Sequence, residues 1–364
     1  MLNSKSVAVV IPAYNEETQI INVLNSVPSF VDKIIVVNDG SSDATEKIVL
    51  DYIENSSEGI KIEKPNPVFD PSNKYNAERA YAAQMKKEDD ALPSVNIMNK
   101  NPESDRVILL SFPKNQGVGL AVARGYKWCK DYEIDCVAKI DGDGQMDSSE
   151  LHSICSPVTD NGVDYVKGNR LKHRSAWFII PKIRFFGNSV LSVLTKIASG
   201  YWRISDTQTA YTAISKKGLE SLALHKLYTT YGYPNDVLVK LNIASCTLTE
   251  VEIKPIYNVG ENSKMKIFKV IPTVSYLLFK SFFKRLWIKY FFKDFHPLFL
   301  FYNVGLVTGI LTVPYGIKIV KAIIKGYEMN YEPLLAFIFL SFFTFQSLAL
   351  AMWMDIQDNE RLYK

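Results

Sequence analysis

The sequence is poor in the residues that staple small folds. Of 364 residues only four are cysteine (Cys129, Cys136, Cys155, Cys246), with no C-x-x-C pair, and only four are histidine, with no H-E-x-x-H or His-x-His spacing. No disulfide framework and no zinc site of familiar spacing is expected, and the thiols should be reduced and buried. With 18 glycines, 16 prolines, 47% hydrophobic and 22% charged residues, the chain is neither collagen-like, low-complexity nor disordered. No long apolar run opens it. Met1 to Ser6 is polar and the run behind it is short before Pro12, so no signal peptide is expected. The first strand-to-helix turn lacks G-x-G-x-x-G, which argues against a nicotinamide dinucleotide.

What is present exceeds one hydrophobic core, so a large domain with an appended part is expected. The net charge of +4 is unevenly spread: Lys254 to Lys293 holds nine basic residues against the single acid Glu261. Directly after it, Leu298 to Ile317 and Pro333 to Met354 are free of formal charge and long enough to cross a bilayer as helices. Tyr302, Tyr315, Tyr331 and Trp353 edge them like interfacial aromatics, and Gly305 and Gly309 have the G-x-x-x-G spacing of closely packed helices. Basic residues beside a span stay on the cytoplasmic side, so the domain before the spans and the tail after them are both expected in the cytoplasm, with two crossings between. A span as neighbour rules against nucleic acid as the partner of the basic stretch. Between Ile267 and Phe292, Lys280, Lys284, Arg285 and Lys289 alternate with aromatic and aliphatic residues at helical spacing, which predicts an amphipathic helix on anionic membrane lipids.

Before residue 260 the pattern is that of an α/β sheet. Val7 to Ile11, Lys33 to Asn38, Val107 to Ser111, Cys136 to Ile140 and Tyr165 to Lys167 read as buried strands, with helices over Thr18 to Ser26 and Ala121 to Cys129. Asp43 and Glu46 have capping-box spacing before another helix, and Asp236 is expected to N-cap a helix. Residues 55–106 are polar and weakly periodic, and are expected to be an inserted, partly disordered excursion.

Three polar clusters follow strands: Pro12-Ala13-Tyr14-Asn15-Glu16, Asn38-Asp39-Gly40-Ser41-Ser42-Asp43 and Asp141-Gly142-Asp143-Gly144-Gln145. In such a sheet, ligands sit at the carboxyl ends of the strands, so one crevice can hold all three. Asp141 and Asp143, two apart, point the same way in an extended segment, and their hard oxygens with the Gln145 amide suit Mg²⁺ or Mn²⁺ shared with phosphates.

In this order, AYNE, NDGSSD and DGDGQ resemble the family 2 glycosyltransferases of GT-A fold, over residues 6–265, and look most like the polyprenyl-phosphate (dolichol-phosphate) mannose and glucose transferases. Asn115-Gln116-Gly117-Val118-Gly119, Gly168-Asn169-Arg170, Asp206-Thr207-Gln208 and Glu261-Asn262-Ser263-Lys264 are similar to further motifs of that group. The resemblance implies a mixed, mostly parallel sheet in domain 1–265 (insertion 55–106), a basic juxtamembrane segment 266–296, a two-helix anchor 297–355 and a tail 356–364. It implies an inverting transferase that moves one sugar from a GDP- or UDP-sugar to a polyprenyl or dolichyl phosphate. Pro12, Tyr14, Glu16, Asp39 and Asp141 would hold the nucleotide sugar; Asp141, Asp143 and Gln145 would hold the metal; Arg170, Arg184 and Lys264 would meet phosphates, and Asp206 would orient the acceptor. For a saccharide acceptor, Asp206 becomes the base. Thr209-Ala210-Tyr211-Thr212 stands where the group continues S-G-F-R, so the sugar stays unassigned, and no Q-x-x-R-W motif of processive synthases occurs. A homo-oligomer is compatible with all of this.

Overall fold

The computed structural model describes residues 1–56, 59–65, 77–180, 182–256, 267–327 and 331–364, without the side chains of 177, 183–186 and 267–270. The chain runs β1 (Val7–Ala13), α1 (Ile20–Ser26), β2 (Lys33–Asn38), α2 (Thr45–Asn55), α3 (Ala77–Ala91), β3 (Asn96–Ile97), β4 (Val107–Ser111), α4 (Val118–Asp131) and β5 (Cys136–Lys139). It continues with α5 (Leu151–Asn161), β6 (Tyr165–Asn169), α6 (Ala176–Ile179), α7 (Lys182–Ser199), β7 (Thr212–Ser215), α8 (Lys216–Glu220), α9 (Tyr233–Ile243), β8 (Leu248–Glu252), α10 (Ile267–Trp287), α11 (Pro297–Lys325) and α12 (Tyr331–Glu360).

Among the described residues eight strands form one sheet in the order β3-β4-β2-β1-β5-β7-β6-β8. Its centre, β4-β2-β1-β5, is parallel, and β7 runs against both its neighbours. The runs read as strands from sequence are all strands. β1, β2, β4 and β5 are buried along their whole length, because helices cover both faces and leave no polar side to alternate. One core cluster, on the α4 face, gathers Val10, Ile35, Val37, Tyr126 and Leu238, and the other, on the α1 and α5 face, gathers Val9, Ile11, Ile34, Leu24 and Ile154. All four cysteines are free and buried.

Part of 55–106 is more ordered than its composition predicts. α3 is a 15-residue helix whose Glu88 is 3% exposed, accepting from Lys130 Nζ at 2.9 Å and from the Leu224 amide at 2.6 Å. Two local expectations need correcting. Asp43 accepts from the Thr45 amide, but Glu46 turns to the Asn38 side chain instead of closing a capping box. Asp236 lies inside the first turn of α9, whose N-cap is Gly232, and accepts from the Tyr228 amide at 2.9 Å.

α11 and α12, 29 and 30 residues, are long and apolar enough to cross a membrane, and their apolar windows are only 22% and 11% buried, unlike the core helices of a soluble domain. They pack on each other through the predicted small residues: a methyl on Gly305 would stand 2.7 Å from Leu348 Cδ2, and Gly309 faces Thr344. α10 is helical as expected and continues as a π-helical turn over Ile288–Lys293. Its basic residues divide, however. Lys280 and Lys284 are exposed, whereas Arg285 and Lys289 are 1% and 2% exposed and turn into the protein, away from any lipid surface.

Candidate active site

The carboxyl ends of β2, β1 and β5 lie side by side, in the register Ala13↔Asn38 and Val10↔Lys139, so the three polar clusters meet in one crevice. It encloses about 890 Å³. Pro12, Tyr14, Glu16, Asp39, Asp141, Asp143, Gln145 and Arg170 all line it. Asp206 sits directly behind Arg170. The Arg184 side chain and the whole of Lys264 lie outside the described residues.

Each wall of the crevice is fastened by hydrogen bonds. The Asn15 side chain accepts from the Ser42 amide at 2.8 Å, and Asn15 and Glu16 donate their amides to Ser41 and Thr45, so the loops after β1 and β2 brace each other. Asp39 is 3% exposed and accepts from the amides of Gln116 (2.7 Å) and Gly117 (2.9 Å), tying the loop before α4 to the crevice. Burial raises its carboxyl above the usual range, although those two bonds oppose the shift.

The two acidic residues after β5 have opposite surroundings. Asp141 is paired with Lys139, which is 1% exposed beneath it. Asp143 accepts from the Gln145 amide at 3.0 Å, and its carboxyl is pushed up to about 7, by burial first and then by the neighbouring Asp141 charge. Among the described residues no group of three or more His, Cys, Asp or Glu is close enough to hold a metal. Two carboxylates and an amide oxygen are nonetheless a hard-oxygen set whose electrostatic strain a divalent cation relieves, so they fit Mg²⁺ or Mn²⁺ shared with a ligand.

At the other end, Arg170 Nε donates to Asp206 Oδ2 at 2.8 Å and Nη2 to Oδ1 at 3.1 Å. The backbone amides of Arg170, Gln208 and Thr209 donate to the same carboxylate. Burial alone would raise Asp206, but the Arg170 charge and hydrogen bonds, with Lys167 nearby, outweigh it and hold the group below the usual carboxylate range. Glu250 on β8 accepts from the amides of Ser205 (2.8 Å) and Asp206 (3.2 Å) and from Asn169 Nδ2 (2.7 Å).

Three residues missed in the sequence support the site. Lys139 on β5 and Lys167 on β6 both register with Thr212 on β7, which sets two fully buried lysines on one sheet face, one by Asp141 and the other donating to the Thr209 carbonyl. Burial brings Lys167 down to about 8. A lysine within a short, fully buried strand is the signal that could have exposed both. Glu250 carried none, because its partners lie more than 40 residues away.

A parallel sheet with the first two strand ends and an acidic D-x-D turn around one crevice, closed by an antiparallel strand, is the architecture of a GT-A glycosyltransferase. The glycosyl transferase family 2 model matches residues 8–80 and 90–223, and the chain belongs to that family. A relative from Methanococcus voltae, UDP-N-acetylglucosamine–dolichyl-phosphate N-acetylglucosaminyltransferase, is 28% identical over 254 residues, 70% of this chain and 86% of that one. The Trichomonas vaginalis dolichyl-phosphate beta-glucosyltransferase ALG5D is 24% identical over 299 residues, 77% of this chain and 74% of its own. Among solved structures, glucosyl-3-phosphoglycerate synthase from Mycobacterium tuberculosis aligns with a TM-score of 0.46 at 17% identity, over 78% of this chain and 80% of that one.

Proposed function

We propose that the chain transfers one sugar from a nucleotide sugar to a polyprenyl or dolichyl phosphate at the cytoplasmic face of a membrane. The observation that carries this reading is the lining of the cavity. The acidic Asp141–Asp143 turn and Arg170 border the same space as Gly187 and Leu191 on α7 and Ile271 and Val274 on α10, the helix that precedes the membrane-length pair in the chain. A soluble donor at one end and an apolar chain with a charged head at the other suit those two linings. The names of the archaeal and trichomonad relatives support a dolichyl-phosphate acceptor, and the archaeal one favours UDP over GDP.

In this reading Asp141, Asp143 and Gln145 hold Mg²⁺ or Mn²⁺, which when bound offsets charge on the departing diphosphate. Pro12, Tyr14 and Glu16 form the nucleotide wall, and Asp39 keeps the 115–119 loop against it. A phosphate acceptor already carries about 1.5 to 2 negative charges at neutral pH and needs no strong base, only cations that orient and desolvate it. Arg170 is a cation on the cavity wall suited to this, with Asp206 aligning its guanidinium, and Arg184 and Lys264 are proposed to assist. A saccharide acceptor with Asp206 as base fits less well: its oxygens are occupied by five N–H donors and its proton affinity is depressed, both opposite to what a base requires.

The backbone bonds of Leu362 and Lys364 to Leu248 at the sheet edge support a topology with catalytic domain and tail on one side of the membrane, and the Lys-rich segment favours the cytoplasmic side. The test is sugar transfer by the detergent-purified full chain from a panel of radiolabelled UDP- and GDP-sugars to polyprenyl phosphate with Mg²⁺ or Mn²⁺. A glycolipid from one donor supports the proposal. None from any donor, with nucleotide binding intact, overturns it.

A further inference from the structure

The last two turns of α12 are built into the catalytic domain. Arg285 donates both Nη groups to Asp355, each at 2.7 Å, and also reaches the carbonyls of Ala198 (3.0 Å) and Ile197 (3.1 Å) at the end of α7. Tyr290 OH, Asn359 Nδ2 and Trp202 Nε1 donate to the same carboxylate at 2.9, 2.8 and 3.3 Å. Lys289 Nζ and Asn242 Nδ2 then donate to the side-chain oxygen Oδ1 of Asn359, both at 2.7 Å. Arg285 and Asp355 are 1% and 0% exposed.

This cluster bears on one short segment, residues 200–206, which joins α7 to Asp206. Gly200, at φ +77°, lies flat against the Arg285 guanidinium, where any side chain would collide. Trp202 bonds Asp355 and Arg203 pairs with Glu360, both on α12. From the opposite side Tyr201 OH donates to the Cys246 carbonyl at 2.6 Å, and Glu250 holds the amides of Ser205 and Asp206. The segment is therefore clamped between the end of the second membrane-length helix and β8, and its last residue aligns Arg170.

A buried ion pair seldom stabilises more than a well-packed apolar pair would; what this one supplies is a two-pronged contact between α10 and α12 that also ties down the end of α7. We propose that Arg285 and Asp355 are positioning residues for transfer: they lock the end of α12 against residues 200–206 and so hold Asp206, and through it Arg170, in register with an acceptor arriving from the membrane. This rests on the reading of Arg170 given above. Donor binding, at the far end of the cavity, does not depend on the lock.

The test uses the full-length protein in nanodiscs. Arg285→Lys replaces the two-pronged contact by one charge, Trp202→Phe removes one N–H while keeping a ring, and the transposed R285D/D355R double variant restores opposite charges. Transfer kinetics are read together with hydrogen exchange of peptides covering 200–206 and 139–147. For the single variants a kcat loss of about tenfold or more is expected, since displacements near 1 Å have such effects. Donor KM should stay within about twofold, because that binding is not part of the lock. Exchange should rise in 200–206 and not in 139–147, and the double variant should recover part of kcat. Unchanged kcat and exchange in both single variants overturns the proposal, as does a loss shared equally by donor KM and both peptides, which marks general destabilisation. If the wild type transfers nothing to polyprenyl phosphate, the functional reading fails by itself, while exchange in 200–206 still decides whether the lock exists.

Discussion

Asp206 and Arg170 meet as a two-pronged ion pair, Nε to Oδ2 at 2.8 Å and Nη2 to Oδ1 at 3.1 Å, with the carboxylate 2% exposed and the guanidinium edge on the cavity. In the proposed reading Asp206 is the holder and Arg170 the group that faces substrate. Asp206→Asn keeps the shape and removes the charge. It is expected to lower kcat for transfer by about 10²-fold, through a misplaced Arg170, with donor KM little changed. Steady-state kinetics with both substrates varied check this; a loss confined to donor KM contradicts it.

The Asp143 carboxyl gives a pH signature. Its proton affinity in the folded chain is raised, to about 7, so the protonated form is favoured by folding. That contribution to stability is complete below the unfolded value near 3.8 and is lost as pH rises through about 7. The metal-free Asp143→Asn variant should therefore match the wild type in Tm near pH 4 and exceed it at pH 8, and added Mn²⁺ should close the gap by stabilising only the wild type. Thermal melts across that range, with and without metal, decide it.

Metal binding should follow the same group. Mn²⁺ affinity is expected to climb with pH up to about 7 and then level, because the ion displaces the Asp143 proton. Lys139 lowers that proton affinity, so Lys139→Met should move the rise to higher pH. Calorimetric Mn²⁺ titrations at several pH values measure both, and a pH-independent affinity contradicts them.

How much of this was legible in the sequence depended on the range of the forces involved. β1, β2, β4 and β5 were readable because strands buried on both faces must be apolar runs, and the three polar clusters because they punctuate those runs. Gly305 and Gly309 were readable because close helix contact needs small residues at a fixed spacing. α3 was not, since its docking rests on Glu88 finding Lys130, 42 positions later, and not on an apolar stripe. Arg285 was misread for the same reason. It follows Lys284 on a basic helix, and only Asp355, 70 positions on, turns it inward while Lys284 stays exposed.

Breaking the α3 anchor tests that account. Glu88→Ala leaves the Leu224 amide buried without its acceptor and the buried Lys130 charge with the Leu222 carbonyl but no counter-charge from Glu88, which is expected to cost roughly 3 kcal/mol. Denaturant unfolding of the purified protein measures it, and a change below about 0.5 kcal/mol, typical of a surface site, contradicts the docked helix.

The close approach of α11 and α12 predicts a steric penalty. Gly305→Leu would drive a side chain into Leu348, and a loss of about 1 to 3 kcal/mol is expected, read as a lower melting temperature in detergent. A substitution to leucine that leaves the melt unchanged contradicts this packing.

The central claim is a transfer to phosphate, and the linkage in the product tests it most directly. The full chain, given its donor and polyprenyl phosphate in vesicles with Mn²⁺, should yield a lipid bearing one sugar through a single phosphate. By mass spectrometry and ³¹P NMR that product is a phosphodiester, labile to mild acid, with the anomeric configuration inverted, and it is absent with Asp143→Ala. A sugar joined instead to a saccharide hydroxyl, or retained anomeric configuration, would contradict the account.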